Sequence, residues 1–168
     1  MISPKLIVIR GNSGSGKGTV AQRVREMSSR KTALVGLDHL RRVMLHEREK
    51  DPEGLANVIG LIEQTVSFAL GKGYDVILEG ILSMERYGEM LGRLKDVCHD
   101  HHFFYMDVSF EETLRRHATK LNAQEFGESE MRRWYKPHDV TGFNGEEIIS
   151  ESCTVEQAAE MVFKKVGL

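Results

Sequence analysis

The sequence predicts an α/β protein of three layers, α/β/α, with a parallel sheet of about five strands in the middle. Three observations predict it. Short apolar runs rich in β-branched residues recur along the chain, as in strands buried on both faces. Segments with apolar residues at helical spacing follow these runs, and such alternation means a parallel sheet covered by helices. The chain has 168 residues, which suits one domain at roughly 100–200 residues per domain. A domain of that size buries about 70% of its unfolded chain's surface. One domain, 1–168, is expected, without repeats, linkers or low-complexity tracts.

Residues 5–10 (KLIVIR) read as the first strand and 11–18 as a glycine-rich turn. Val20, Val24 and Met27 then fall at helical spacing, and residues 32–37 (TALVGL) read as a second strand. The charged stretch 38–50 predicts a helix with Leu40, Val43 and Met44 on one face. Asp51-Pro52 is a helix start, an N-cap followed by proline in the first turn. Leu55, Val58, Ile59, Ile62, Val66 and Leu70 continue that helix until Gly71 and Gly73 stop it. Residues 75–78 read as a third strand, ending at Glu79-Gly80. Tyr87, Leu91 and Leu94 give residues 84–98 a helical period. Residues 102–107 read as a fourth strand. Ser109 with Glu112 predicts a capping box opening the next helix. Residues 147–150 suggest a short fifth strand. Thr154 with Gln157 predicts another capping box, ahead of a last helix with Val155, Ala158, Ala159, Val162 and Val166 inward. Met84, Met90, Met106, Met131 and Met161 fit core positions.

Lys and Arg total 23 against 25 Asp and Glu, a net charge of −2. That balance gives no reason to expect a nucleic-acid partner, since backbone binders usually carry a basic excess. The two cysteines, Cys98 and Cys153, have neither zinc-ligand nor disulfide-framework spacing and read as ordinary thiols. His99, His101 and His102 lack acidic or cysteine partners at metal-ligand spacing. The N-terminal run lacks a secretory layout, and no run reads as a membrane span of ~20 apolar residues. A cytoplasmic protein without a membrane partner is therefore expected.

Ligands of open parallel sheets bind beyond the carboxyl ends of the strands, and the strongest motif lies there. Gly11, Asn12, Ser13, Gly14, Ser15, Gly16, Lys17, Gly18 and Thr19 follow the first strand. Their G-x-x-x-x-G-K spacing is that of a phosphate-binding loop. Glycines let the backbone curl its N–H groups inward, and the following helix adds the positive end of its dipole. Lys17 would reach the β- and γ-phosphates. Gly18 stands where a metal-binding Ser or Thr is usual.

The string GNSGSGKGT resembles the loop of adenylate kinases. That resemblance implies Thr19 on the α-phosphate and Mg²⁺ held by phosphates, water and acidic side chains. The whole chain looks like the small P-loop kinases grouped with zeta toxins, chloramphenicol phosphotransferase and gluconate kinase. This implies a P-loop kinase fold, ATP and Mg²⁺ as cofactors, and a lid at about 117–136. Asp38 sits where zeta toxins and chloramphenicol phosphotransferase place a catalytic aspartate, which could accept the acceptor hydroxyl's proton. Asp38 also reads as a simple helix cap. Arg41 and Arg42, one turn on, could hold an anionic substrate or form a solvated face. Glu79 ends a strand resembling Walker B and would order Mg²⁺, directly or through water, with Asp38 as a second acid. Asp107 is a lower-ranked competitor.

Arg116, Arg132 and Arg133 match the lid cations of this group, which would stabilise the transferring phosphoryl group. Arg116 with Glu112 also reads as a surface ion pair. Lys120 stands where a second lid arginine is frequent. Trp134 would report lid closure, or belongs to the core. Tyr87, with Glu85 and Arg86, is available for substrate contacts. The expected function is ATP-dependent transfer of the γ-phosphoryl group to a hydroxyl of a small molecule: a sugar, nucleoside, antibiotic or nucleotide sugar. A nucleoside or nucleotide kinase is the first alternative, although a DGFPR-like acceptor motif is absent. An ATP-hydrolysing regulatory switch is the second. The oligomeric state is left open.

Overall fold

A computed structural model describes residues 3–47, 51–119 and 126–168. Five strands, β1 (Leu6–Gly11), β2 (Thr32–Gly36), β3 (Asp75–Gly80), β4 (His101–Asp107) and β5 (Glu147–Ser150), form one sheet in the order β2-β3-β1-β4-β5. Every pairing is parallel. The helices are α1 (Lys17–Met27), α2 (Pro52–Gly71), α3 (Met84–Val97), α4 (Phe110–Ala118), α5 (Glu128–Trp134) and α6 (Val155–Val166). This is the three-layer arrangement that the alternation of runs predicts.

The core follows from the period-2 alternation of β1. Leu6 and Val8 face α2 and α3, packing in a cluster with Val58, Ile62, Met90 and Leu91. Ile7 and Ile9 face α1 and α6, with Val20, Val24, Ala158 and Val162. β1 is thus buried on both faces and paired on both edges. From it the chain builds β2 and β3 on one side and β4 and β5 on the other. The reversal opens a crevice at the carboxyl end of β1.

Most caps form as the sequence implies. The Asp51 carboxylate accepts from the Glu53 N–H at 3.1 Å, and Thr154 and Gln157 make both legs of their capping box. Four expectations need correction. Residues 38–50 do not make an α-helix: His39–Met44 form one π-helical turn, closed by Leu45 N–H to the Leu40 carbonyl at 3.0 Å. His46, at φ 55, turns the chain away. With no second turn to pack, only Leu40 of the predicted apolar face is buried, and Val43 and Met44 are exposed. Residues 48–50 lie outside the described residues.

The Ser109 capping box is half made. Ser109 Oγ accepts from Glu112 N–H at 3.3 Å, but the returning leg comes from Glu151, whose carboxylate takes the Ser109 N–H at 2.8 Å. Glu112 turns instead to Arg115 (2.7 Å) and Arg116 (2.6 Å), because charge-assisted bonds outcompete a neutral N–H. Met161 is exposed while Met90, Met106 and Met131 are buried. Finally, α2 is long and apolar enough by length and composition to cross a membrane, contrary to the reading of the runs. Here its Val58, Ile62, Val66 and Leu70 pack on the core.

One charged residue interrupts the apolar alternation. Arg10 continues the Leu6–Val8 face of β1 and is fully buried. Its Nε donates to the Leu82 carbonyl at 3.0 Å, Nη2 to Asp139 at 2.9 Å and Nη1 to Glu146 at 3.4 Å. Its guanidinium lies over the Tyr105 ring at 5.6 Å. Burial lowers the pKa of Arg10, and the two carboxylates oppose that shift. Asp139 also accepts the Met84 N–H at 3.1 Å. It thereby caps α3, whose own N-cap, Ser83, makes no side-chain cap bond.

Two predictions follow from these groups. Arg10→Met leaves Asp139 and Glu146 without their buried partner and should cost about 3–5 kcal/mol, read as a lowered urea midpoint at unchanged slope. The two arginines depress the Glu112 carboxyl from 4.5 to about 2. A depressed folded pKa means the pairing is complete above the unfolded value and lost as pH falls toward 2. The Glu112 carboxyl carbon should accordingly show its NMR titration near 2; a midpoint above 4 would contradict the pairing.

Candidate active site

The loop between β1 and α1 is bent by glycines. Gly14 and Gly16 take φ 82 and φ 92, which side chains rarely adopt. A Cβ on Gly14 would also lie 2.6 Å from the Thr113 carbonyl and 3.2 Å from Met131 Cε, so α4 and α5 sit directly on the loop's back. Ser15 N–H donates to the Asn12 carbonyl at 3.1 Å, and Lys17 Nζ donates to the same carbonyl at 3.2 Å. The ammonium is thereby folded back over the loop.

Two features fit this loop to phosphate. α1 starts at Gly16 with no side-chain cap and no acidic residue in its first turn, leaving its N–H groups and dipole for an anion. Ser15 Oγ is buried with no hydrogen-bond partner among the described residues. Beside the loop a cleft of about 480 Å³ is lined by Gly14 to Gly16, Thr19 and Val20 on one wall, Arg115, Arg116 and Thr119 on another, and Ser152 to Val155 on the third.

Arg116 forms part of that wall. Nη1 donates to the Ser15 carbonyl at 2.7 Å and Nη2 to the Glu151 carbonyl at 2.8 Å, while Nε pairs with Glu112. It ties α4 to the loop and to the segment before α6. Glu151 is a residue that the sequence reading missed; no motif marks it.

Glu79, at the end of β3, stands between the phosphate loop and β2. A Cβ on Gly18 would be 3.7 Å from Glu79 Oε2, and one on Gly36 would be 2.9 Å from Oε1. The missing hydroxyl at position 18 is therefore matched by a carboxylate close to the same backbone. One carboxylate plus substrate phosphates and water is a usual Mg²⁺ environment, so the residues present fit that ion. No cluster of three or more His, Cys, Asp or Glu suited to a metal occurs among the described residues.

Asp38 follows β2 and is 64% exposed. Arg41 Nη2 reaches it at 3.2 Å and Arg42 Nε at 3.6 Å, so both arginines orient this carboxylate. Arg41 is buried and lines a small pocket with Glu47, Arg86 and Tyr87. Tyr87 also belongs to the core cluster on that face. Asp107 pairs with His138 at 2.9 Å.

Of the expected lid, 117–136, residues 117–119 and 126–136, with α5, are described, and residues 120–125, including Lys120, lie outside the described residues. Arg132 lies over the Phe110 ring at 4.3 Å and pairs with Glu128, and Arg133 pairs with Glu130. Neither arginine lines the cleft beside the loop. Trp134 is half-buried and meets Phe126 edge-on at 5.1 Å. Phe126 stacks on His117 at 4.5 Å and lies 6.0 Å from the Arg42 guanidinium. These three rings fall within the segment where the lid is expected, and Arg42 reaches them from the Asp38 turn. The Asn12 side chain is committed within the protein: its carboxamide pairs with the Lys136 backbone at 2.8 and 2.9 Å.

The chain resembles solved kinases of the same architecture. The Mycobacterium tuberculosis APS kinase CysC, solved in complex with AMPPNP and APS, superposes with a TM-score of 0.76 over 100% of both chains at 16% identity. A gluconokinase from Sinorhizobium meliloti superposes at 0.70 over 99% of this chain and 94% of its own, at 14% identity. A chain of the Pnkp1/Rnl/Hen1 complex is 25% identical over 72% of this chain and 42% of its own, at a TM-score of 0.60. No curated protein sequence matches. The zeta toxin family model matches residues 2–162. With a P-loop kinase fold and a family match over nearly its whole length, the chain belongs to the zeta toxin family.

Proposed function

We propose that the protein is an ATP-dependent phosphotransferase that moves the γ-phosphoryl group to a hydroxyl of a small molecule. The observation that carries this reading is the convergence at one sheet edge of an uncapped, anion-ready helix start, a carboxylate beside Gly18, and an exposed carboxylate after β2. The APS kinase solved with AMPPNP and APS shares this fold.

In this reading the loop amides from Gly14 to Thr19, with the α1 dipole, hold the β- and γ-phosphates, and Lys17 reaches across them. The nucleotide's remaining part fills the cleft walled by Arg116. Glu79 would hold Mg²⁺, directly or through water. When bound, that ion neutralises charge on the phosphate oxygens. Asp38, oriented by Arg41 and Arg42, takes the acceptor's proton as its oxygen bonds to the γ-phosphorus. The bond to the bridging oxygen breaks and ADP leaves with the electron pair. Lid closure brings Arg132 or Arg133 onto the phosphoryl oxygens as charge redistributes. The acceptor enters beside the Asp38 turn, α2 and the start of α3; the pocket lined there by Arg41, Arg86 and Tyr87 has only about 10 Å³ of free volume and must open to admit it.

A second reading takes the hydroxyl of a polynucleotide end as acceptor. Its support is the 25% identity to a chain of the Pnkp1/Rnl/Hen1 assembly, elsewhere described as an RNA repair complex.

An acceptor panel of sugars, nucleosides, aminocyclitol and phenicol antibiotics, nucleotide sugars and hydroxyl-ended oligonucleotides tests both. A mass gain of one phosphoryl group on a small molecule supports the first reading, and a gain on the oligonucleotide alone supports the second. ATP consumption unchanged by every acceptor would point to a hydrolytic switch instead. Lys17→Ala should lower turnover by about 10²–10³-fold with the fold intact by circular dichroism. Asp38→Asn should retain ATP binding by calorimetry and lose about 10²–10⁴-fold in acceptor phosphorylation. Full activity in Asp38→Asn removes it as base.

A further inference from the structure

Asn12 lies inside the phosphate-loop motif, yet its side chain is committed elsewhere. It is 5% exposed. Its Nδ2 donates to the Lys136 carbonyl at 2.8 Å, and its Oδ1 accepts the Lys136 N–H at 2.9 Å. This is a two-point amide pair, which fixes orientation as well as distance. The Tyr105 hydroxyl supports it by donating to the same carbonyl at 3.3 Å.

Lys136 stands two residues after the end of α5. The segment beyond it is fixed by the network around Arg10: Asp139 and Glu146 hold the buried guanidinium, and Asp139 caps α3. Lys136 Nζ also pairs with Glu85 in the first turn of α3. The return end of the lid is therefore bolted to β1, the phosphate loop and the helix that borders the acceptor pocket. On the other side of this anchor, Met131 packs against Gly14 and the Tyr135 hydroxyl donates to the Val108 carbonyl at 3.0 Å.

We propose that Asn12 is a positioning residue whose carboxamide clasps the Lys136 backbone and sets the pivot from which α5 presents Arg132 and Arg133 to the phosphate loop. The proposal rests on the phosphotransferase reading. Misplacing a positioned group by about 1 Å costs on the order of 10²-fold in rate, whereas the nucleotide's own contacts run through loop backbone and Lys17, which the clasp leaves in place.

The test is Asn12→Ala, with Asn12→Ser as a second variant whose side chain is too short to span both backbone groups. The expected result is a kcat lowered by about 10–100-fold with ADP affinity within about threefold of the parent, an affinity change too small for a lost phosphate contact. By hydrogen exchange, the peptide spanning 135–140 should lose protection by about tenfold or more while α1 and β1 keep theirs. Unchanged kcat overturns the proposal. Loss of ADP affinity in proportion to kcat, with residues 135–140 still protected, overturns it by making Asn12 a nucleotide contact. A uniform loss of protection in both variants makes Asn12 a general packing residue and overturns it too. If the parent protein phosphorylates no acceptor, the phosphotransferase reading fails. The exchange measurement still decides the clasp, which is then disproved by protection that does not change.

Discussion

β1 has no spare surface. Its faces are covered by α2 and α3 on one side and α1 and α6 on the other, and both edges are paired. The chain can change direction only beyond Gly11, and there it meets the carboxyl edge shared by every parallel strand. That confinement puts the loop, Glu79 from β3 and the turn after β2 at one edge of the sheet. A parallel sheet buried on both faces has no other place for polar chemistry.

The cost of placing an anion-binding loop at the end of a dry strand is met by a second set of polar groups just behind it. Arg10 on β1, Asn12 at the start of the loop and Tyr105 on β4 each bond to the stretch between α5 and β5. These bonds satisfy polar groups that would otherwise be orphaned in the core. They also hold the segment that follows α5. A second set of contacts is made by rings: His117, Phe126 and Trp134 stack or meet edge-on, with Arg42 approaching from the Asp38 turn.

The π-helical turn after β2 also matters to the site. Arg41, three residues after Asp38, turns inward and is buried, while Arg42, four residues after it, stays exposed, and both remain within 4 Å of Asp38. The carboxylate is oriented by its own turn, and a buried cation, Arg41, lies next to Arg86 and Tyr87.

What the sequence determined by itself is what depends on neighbours in the chain. The apolar run of β1, the loop glycines, and the caps at Asp51 and Thr154 act through local backbone geometry and short side-chain reach, so strands, helix starts and the phosphate loop were legible. The acidic end of β3 was legible for the same reason, but the approach of Glu79 to Gly18 came from the tertiary structure. The tertiary structure decided where competing partners are chosen. Glu112 left its cap for the charge-assisted bonds of Arg115 and Arg116, and Glu151, distant in sequence, supplied the returning bond. The helix expected over 38–50 stopped after one turn. The Asn12 carboxamide, inside the loop motif, pairs with the Lys136 backbone 124 positions away. Partners separated by so much chain leave no periodicity to read, and their choice is made by charge, reach and burial once the sheet has brought them together.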